Sequence, residues 1–225
     1  MMGAWELRFF FEEAKLFLSA QTAIRRTLGI PVECEMSPEN RTDVYVQLDS
    51  AAVGFKFRGL KTLEVKLRDQ VHKLGAEKWS KYSIGTVPVQ QSSIHESVRT
   101  FALSSQRSEL LELPTATLDI QESLIHCEKI RSHSSLPHDA KEHLNLPTAS
   151  LKGVEIEFAQ FDLRRHSGEH LGRFYSINVE GGTPQDLADL QGTLFASFWP
   201  PLQGTIHRMG YPEFIALISH RCSKN

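Results

Sequence analysis

The stretch Val53–Arg68, VGFKFRGLKTLEVKLR, constrains this chain more than any other. Neighbouring side chains in a strand point to opposite faces, so residues two apart share a face. Lys56 and Arg58 therefore lie opposite Phe55 and Phe57, and Glu64, Lys66 and Arg68 lie opposite Leu63, Val65 and Leu67. A turn at Gly59 joins the two strands. The pattern predicts a sheet with one apolar face and one face crowded with charge.

Similar alternation recurs along the chain. Ala4–Phe10 sets Glu6 and Arg8 against Trp5, Leu7 and Phe9, and Leu124–Arg131 sets Cys127, Lys129 and Arg131 against His126, Glu128 and Ile130. Val154–Leu163 sets Glu155 and Glu157 against Val154, Ile156 and Phe158, and Phe174–Gly181 sets Ser176, Asn178 and Glu180 against Tyr175, Ile177 and Val179. Further strands are predicted over Val32–Met36, Val44–Leu48, Tyr82–Val89 and Val98–Leu103. Ser37–Asn40 reads as a turn, Lys73–Lys81 as a polar stretch with one helical turn, and Leu110–Leu113 as a brief acidic stretch.

Helical spacing of apolar residues runs over Glu12–Leu28 and stops at Gly29 and Pro31. Thr183 at the N-cap and Pro184 in the first turn start a second helix, and Tyr211–Ser219 is a closing amphipathic one. About eight strands and three helices suggest an α+β chain whose antiparallel sheet closes into a barrel, with the helices outside. The apolar strand faces then look outward, and the charged faces line the interior. At 225 residues the chain is expected to form one domain over 1–225.

The formal net charge of −2 argues against a general nucleic-acid binder. Cys34, Cys127 and Cys222 are too scattered for a disulfide framework or a zinc site, which points to a reducing compartment. The N-terminus lacks a basic leader pattern and no apolar run is long enough to span a bilayer, so a cytoplasmic protein without a membrane partner is expected. The histidines, His133 among them, read as solvated surface residues, and Trp5, Trp79 and Trp199 as anchors for helices on the barrel exterior. Cys127 faces the same way as Lys129, whose charge would lower its pKa. The sequence leaves the oligomeric state open.

Seven cations share the predicted interior: Arg8, Lys56, Arg58, Lys66, Arg68, Lys129 and Arg131. Five carboxylates join them: Glu6, Glu64, Glu155, Glu157 and Glu180. Buried charges are costly unless paired or serving a ligand. Guanidinium and ammonium groups suit a run of phosphates, and carboxylates beside phosphate suggest Mg²⁺ or Mn²⁺. For any one pair, a solvated sheet face with cross-strand ion pairs is the plainer reading; five such strands together favour a ligand site.

The order of VGFKFRG, LEVKLR, EKIR, VEIEF, INVEG and GYPEF resembles the CYTH superfamily of triphosphate tunnel metalloenzymes, over Trp5 to about Ser219. The resemblance implies an eight-stranded antiparallel tunnel acting on a triphosphate-containing small molecule: inorganic tripolyphosphate, thiamine triphosphate or a nucleoside triphosphate. It implies that the seven cations hold phosphate and that Glu6, Glu157 and Glu180 hold the metal. Glu155 or Glu64 would position the attacking water. The chain departs from the family's ExExK signature, reading Ala4, Glu6, Arg8, and carries Asn178 beside Glu180 where the family often has two acids. The alternative is a tunnel that binds polyphosphate or nucleotide without turning it over. Arg164, Arg165 and Arg173 are candidates for the tunnel rim.

Overall fold

The computed structural model describes residues 3–30, 38–48, 50–73, 75–86, 91–105, 123–136, 153–198 and 206–222. Nine strands are present among them: β1 (Ala4–Phe11), β2 (Glu39–Val46), β3 (Val53–Arg58), β4 (Thr62–Val71), β5 (Glu77–Thr86), β6 (Leu124–Ser135), β7 (Glu155–Arg165), β8 (His170–Glu180) and β9 (Ile206–Arg208). The helices among the described residues are α1 (Ala14–Leu28), α2 (Gln91–Ser105), α3 (Pro184–Phe198) and α4 (Tyr211–Cys222).

The strands hydrogen-bond in the order β5-β4-β3-β2-β6-β7-β8-β1, and β5 also pairs with β1. That last pairing, Ala4 with Trp79 and Glu6 with Glu77, closes an eight-stranded antiparallel barrel. The fold class is the α+β barrel that the alternation predicts. β1 is shared along one edge: its first half pairs with β5 and its second half, Phe9–Phe11, with the short β9.

The outer wall is apolar for the reason the sequence indicates. Leu7, Phe9 and Phe11 of β1 pack with Ile177 and Val179 under α1 and α3. α1 meets them with Phe17, Ala20, Ile24 and Leu28, spaced three to four apart. It ends where Gly29 takes a left-handed conformation (φ 63°), with the Ile30 and Gly29 N–H groups donating to the Arg25 and Arg26 carbonyls. α3 starts at a capping box: the Asp186 N–H donates to Thr183 Oγ1 at 3.1 Å and the Thr183 N–H to Asp186 Oδ2 at 2.8 Å. On the other side Phe55, Phe57, Leu63 and Val65 pack beneath Val98 and Ala102 of α2.

Four local expectations change. Val98–Leu103 is part of α2 rather than a strand, because Val98 and Ala102 are the buried pair and they are four residues apart. The stretch expected to hold a helical turn before Lys81 is instead the first half of β5, a strand with charge on its inner face. Glu39 and Asn40 open β2 instead of completing a turn, and β9 has no counterpart in the sequence reading. Val32–Met36, Leu110–Leu113 and Trp199 lie outside the described residues.

α4 occupies a special position. Its Tyr211, Phe214, Ile215 and Ile218 pack with Phe10, Tyr45, Cys127, Phe161 and Phe174. Phe10, Cys127, Phe161 and Phe174 belong to the inner-face register of their strands, the one that also carries Arg8, Lys129, Glu157 and Asn178. Phe214 stacks flat on Phe10, with ring centroids 4.0 Å apart. The inner face is thus apolar at one end, where α4 seals it, and charged toward the other. Among the described residues no helix is long and apolar enough to cross a membrane.

Candidate functional site: a cation-rich cavity in the barrel

Eleven of the twelve residues singled out by the sequence line one cavity: Glu6, Arg8, Lys56, Arg58, Glu64, Lys66, Lys129, Arg131, Glu155, Glu157 and Glu180. The twelfth, Arg68, is outside the lining; its Nη1 is 2.6 Å from Glu77 Oε1. Arg41, Lys81, His133, Asn178 and Tyr211 complete the polar wall. Among these lining residues the eight Lys and Arg side chains (Arg8, Arg41, Lys56, Arg58, Lys66, Lys81, Lys129, Arg131) outnumber the five carboxylates.

The ion pairs have a definite layout. Lys66 Nζ donates to both oxygens of Glu6, at 2.7 and 2.6 Å, and Lys81 Nζ stands 3.4 Å from Glu6 and 2.6 Å from Glu180. Deeper in, Glu157 takes Lys129 at 2.7 Å, Arg131 at 2.9 Å and Arg8 at 3.2 Å. Across the barrel Lys56 and Arg58 hold Glu64, at 3.3 and 2.7 Å. Tyr211 of α4 forms the floor: Arg8 Cζ lies 4.5 Å and Lys129 Nζ 5.1 Å from its ring centroid. Each contact adds on the order of 2 kcal/mol where the cation is shielded from water.

Burial sets the protonation states. Burial works to raise the Glu6 carboxyl, but Lys66, Arg8 and Lys81 outweigh it and hold the group at about 2. Burial likewise opposes ionisation of Glu157, and Lys129 and Arg8 pull it well below the ordinary carboxylate range. Burial brings Lys66 down to about 8, against the pull of Glu6. Lys129 and Lys56 are also lowered by burial, whereas Lys81 is raised, burial being outweighed there by Glu6 and Glu180.

Several sequence expectations are corrected. His133 lines the cavity, 3.6 Å from Glu157, rather than standing as a solvated residue. Trp79 is fully buried with Lys66 Nζ 4.9 Å from its ring centroid, so it backs the cavity wall instead of anchoring an exterior helix. Burial pushes the Cys127 thiol up to about 12, outweighing Lys129. Arg164, Arg165 and Arg173 sit around the β7–β8 turn at the α4 end, where Arg165 donates to the Ser219 carbonyl and Arg173 binds Asp162. They are therefore remote from the rim, which Arg58, Glu39 and Glu155 mark at the other end.

Arg41, Lys81 and Tyr211 were missed for different reasons. Arg41 falls between the turn read over Ser37–Asn40 and the strand read from Val44, and Lys81 closes the polar stretch Lys73–Lys81. Period-2 alternation over Glu77, Trp79 and Lys81 was the signal for the second. Tyr211 reaches the cavity only because α4 packs inside the barrel end, which no local pattern reports.

The metal expectation meets a different arrangement. Among the described residues no three of His, Cys, Asp and Glu come together to hold a metal ion. Glu6 and Glu157, the buried carboxylates of the set, are each bound by cations, and positions 4 and 178 offer no charge. As they stand, these residues do not fit a divalent cation.

The fold and this site together define an antiparallel barrel with one cation-rich interior cavity. No protein-family profile and no curated protein matches the chain. Among solved structures, it is similar to the RNA triphosphatase domain of the trifunctional mimivirus mRNA capping enzyme, at 9% identity over 87% of each chain with a TM-score of 0.41. It is also similar to the Pct1 RNA triphosphatase of S. pombe, in complex with the Spt5 CTD, at 8% identity over 99% of this chain and 83% of that one, with a TM-score of 0.28.

Proposed function

We propose that the cavity binds the phosphate chain of a triphosphate. The observation that carries this reading is the concentration of eight Lys and Arg side chains on the wall of one cavity, where they exceed the five lining carboxylates and the buried Asp43 beside Arg41 taken together. Nothing in folding requires such an excess, since buried charge without full compensation destabilises. A triphosphate supplies the missing negative charge and several oxygens for forked guanidinium and point-like ammonium donors. Arg8, Lys56, Arg58, Lys66, Lys129 and Arg131 are the phosphate-binding residues in this reading, with Arg68 outside it. Because α4 seals one end, the chain of phosphates enters from the rim with its terminal phosphate leading toward Tyr211, Arg8 and Lys129.

Hydrolysis of the bound triphosphate is the second reading, favoured by one feature of the register. Glu155 is paired with Glu180, and Glu180 with Glu6, so three inner-face carboxylates form a row across β7, β8 and β1. In that reading Glu6, Glu157 and Glu180 would have to exchange their lysine and arginine partners for Mg²⁺ or Mn²⁺ on substrate binding, and Glu155 or Glu64 would position water. Calorimetric titration of tripolyphosphate, run beside phosphate-release assays with Mg²⁺, Mn²⁺ or EDTA, tests both. Binding lost in Lys66→Ala without turnover supports the first; metal-dependent release lost in Glu180→Gln supports the second; neither binding nor release refutes both.

A further inference from the structure

The β2 wall of the cavity carries an arginine held in an unusual state. Arg41 is paired in register with Lys129 of β6, and its side chain is nine-tenths buried against the cavity. One guanidinium nitrogen, Nη2, lies 2.8 Å from Asp43 Oδ2. The others are poorly served: Nε and Nη1 are buried without a hydrogen-bond partner, and Nη1 has only a 3.8 Å ion pair with Glu39 at the rim. Asp43 itself is fully buried beside Arg41; neither of its oxygens makes a hydrogen bond, and ion pairs alone hold it, to Arg41 Nη2 and, at 3.8 Å, to Lys56 Nζ.

This is a costly arrangement for a purely structural residue. Buried donors without acceptors lose their hydration and gain nothing in return. A fully buried carboxylate is equally unfavourable unless it fixes something. Both costs make sense together if Asp43 grips one nitrogen and leaves the remaining edge of the guanidinium for an incoming oxyanion. Phosphate is the chemical match, because two N–H groups of a planar fork meet two oxygens of one phosphate.

We infer that Arg41 is a phosphate-binding residue of this cavity and that Asp43 is its positioning residue. The inference rests on the triphosphate reading of the cavity and adds to it a wall, β2, to which the sequence assigned no phosphate contact. Asp43 touches no ligand; it acts through Arg41 and, more weakly, through Lys56.

A double-mutant cycle read by calorimetry with tripolyphosphate tests this. Arg41→Ala is expected to weaken binding by roughly tenfold or more, the scale of a charge-assisted hydrogen bond. Asp43→Asn is expected to weaken binding in the wild-type background and to have a much smaller effect, the part carried by Lys56, in the Arg41→Ala background. Thermal melts on the same proteins supply a second readout: the double variant should melt above Arg41→Ala alone, because the latter strands a buried carboxylate. Should Asp43→Asn not fold, Arg41→Lys serves instead; it keeps the charge but loses the fork, and several-fold weaker binding is expected. Wild-type affinity in Arg41→Ala or Arg41→Lys, or an equal loss from Asp43→Asn in both backgrounds, overturns the inference while Lys66-dependent binding leaves the cavity reading standing. A wild-type chain that binds no tripolyphosphate overturns both.

Discussion

Lys66 Nζ sits 2.6 and 2.7 Å from the two oxygens of Glu6, a residue 60 positions away on a strand that is not its neighbour. The ammonium reaches across β5 to make this contact, and Lys81 of β5 shares the same carboxylate at 3.4 Å. The pair is a strap across the barrel seam, and burial brings its lysine down to about 8.

With Lys66 at about 8, its charge is lost in the folded state well before its ordinary value of 10.5. Between those two pH values the unfolded chain binds more protons, so this group makes the protein more stable as pH rises. Ligand affinity goes the other way. Tripolyphosphate binding should weaken as pH passes through 8, and Lys66→Arg should flatten that decline, because arginine keeps its charge. Titrations at several pH values on both proteins measure it.

Acid has the opposite effect. Glu6 is lowered to about 2 and Glu157 lies well below 4.5. Their contribution to stability is complete above the unfolded carboxylate value and is lost as pH falls from about 4.5 toward 2. Melting temperature should drop steeply over that window, and the drop should shrink in Glu157→Gln.

Glu157→Gln also separates stability from binding. It leaves Lys129 and Arg8 buried without their shared anion, which should cost on the order of 3 kcal/mol. The same change removes the competitor for those cations, so tripolyphosphate should bind more tightly and restore much of the lost melting temperature. Weaker binding would show that the carboxylate serves the ligand directly.

Phe214→Ala tests the plug. Phe214 is fully buried and stacked on Phe10, so its truncation should cost about 3–5 kcal/mol in urea denaturation. If α4 shapes the cavity floor, tripolyphosphate affinity should fall as well, since Tyr211 is fixed by the same helix.

Thiol labelling checks the burial of Cys127. With its thiol at about 12 and no exposed surface, it should resist iodoacetamide in the native protein, whereas the partly exposed Cys222 reacts. Peptide mass spectrometry before and after unfolding distinguishes the two.

The barrel was legible because alternation is local: Lys56, Lys66, Lys129 and Glu157 announce their inner face within their own strands. Partnership is not local. That Lys66 meets Glu6 depends on closure of β5 onto β1, and that Arg68 turns to Glu77 depends on the bulged register between Arg68 and Gln70. Tyr211 looked like an ordinary first-turn residue because helix periodicity says which side is apolar, and not whether that side packs inside or outside a barrel. The same limit applies to the carboxylates. Their number was readable, but their capture by cations was a matter of three-dimensional pairing.

The proposed phosphate-chain site is built from lysine and arginine inside the barrel. Its most direct test is calorimetric titration of tripolyphosphate into the wild-type chain, Lys66→Ala and Lys129→Ala at neutral pH. Saturable one-site binding is expected, weakened roughly 10- to 100-fold in each variant, the scale of a charge-assisted hydrogen bond. No binding, or binding indifferent to both lysines in variants that still fold, would contradict it.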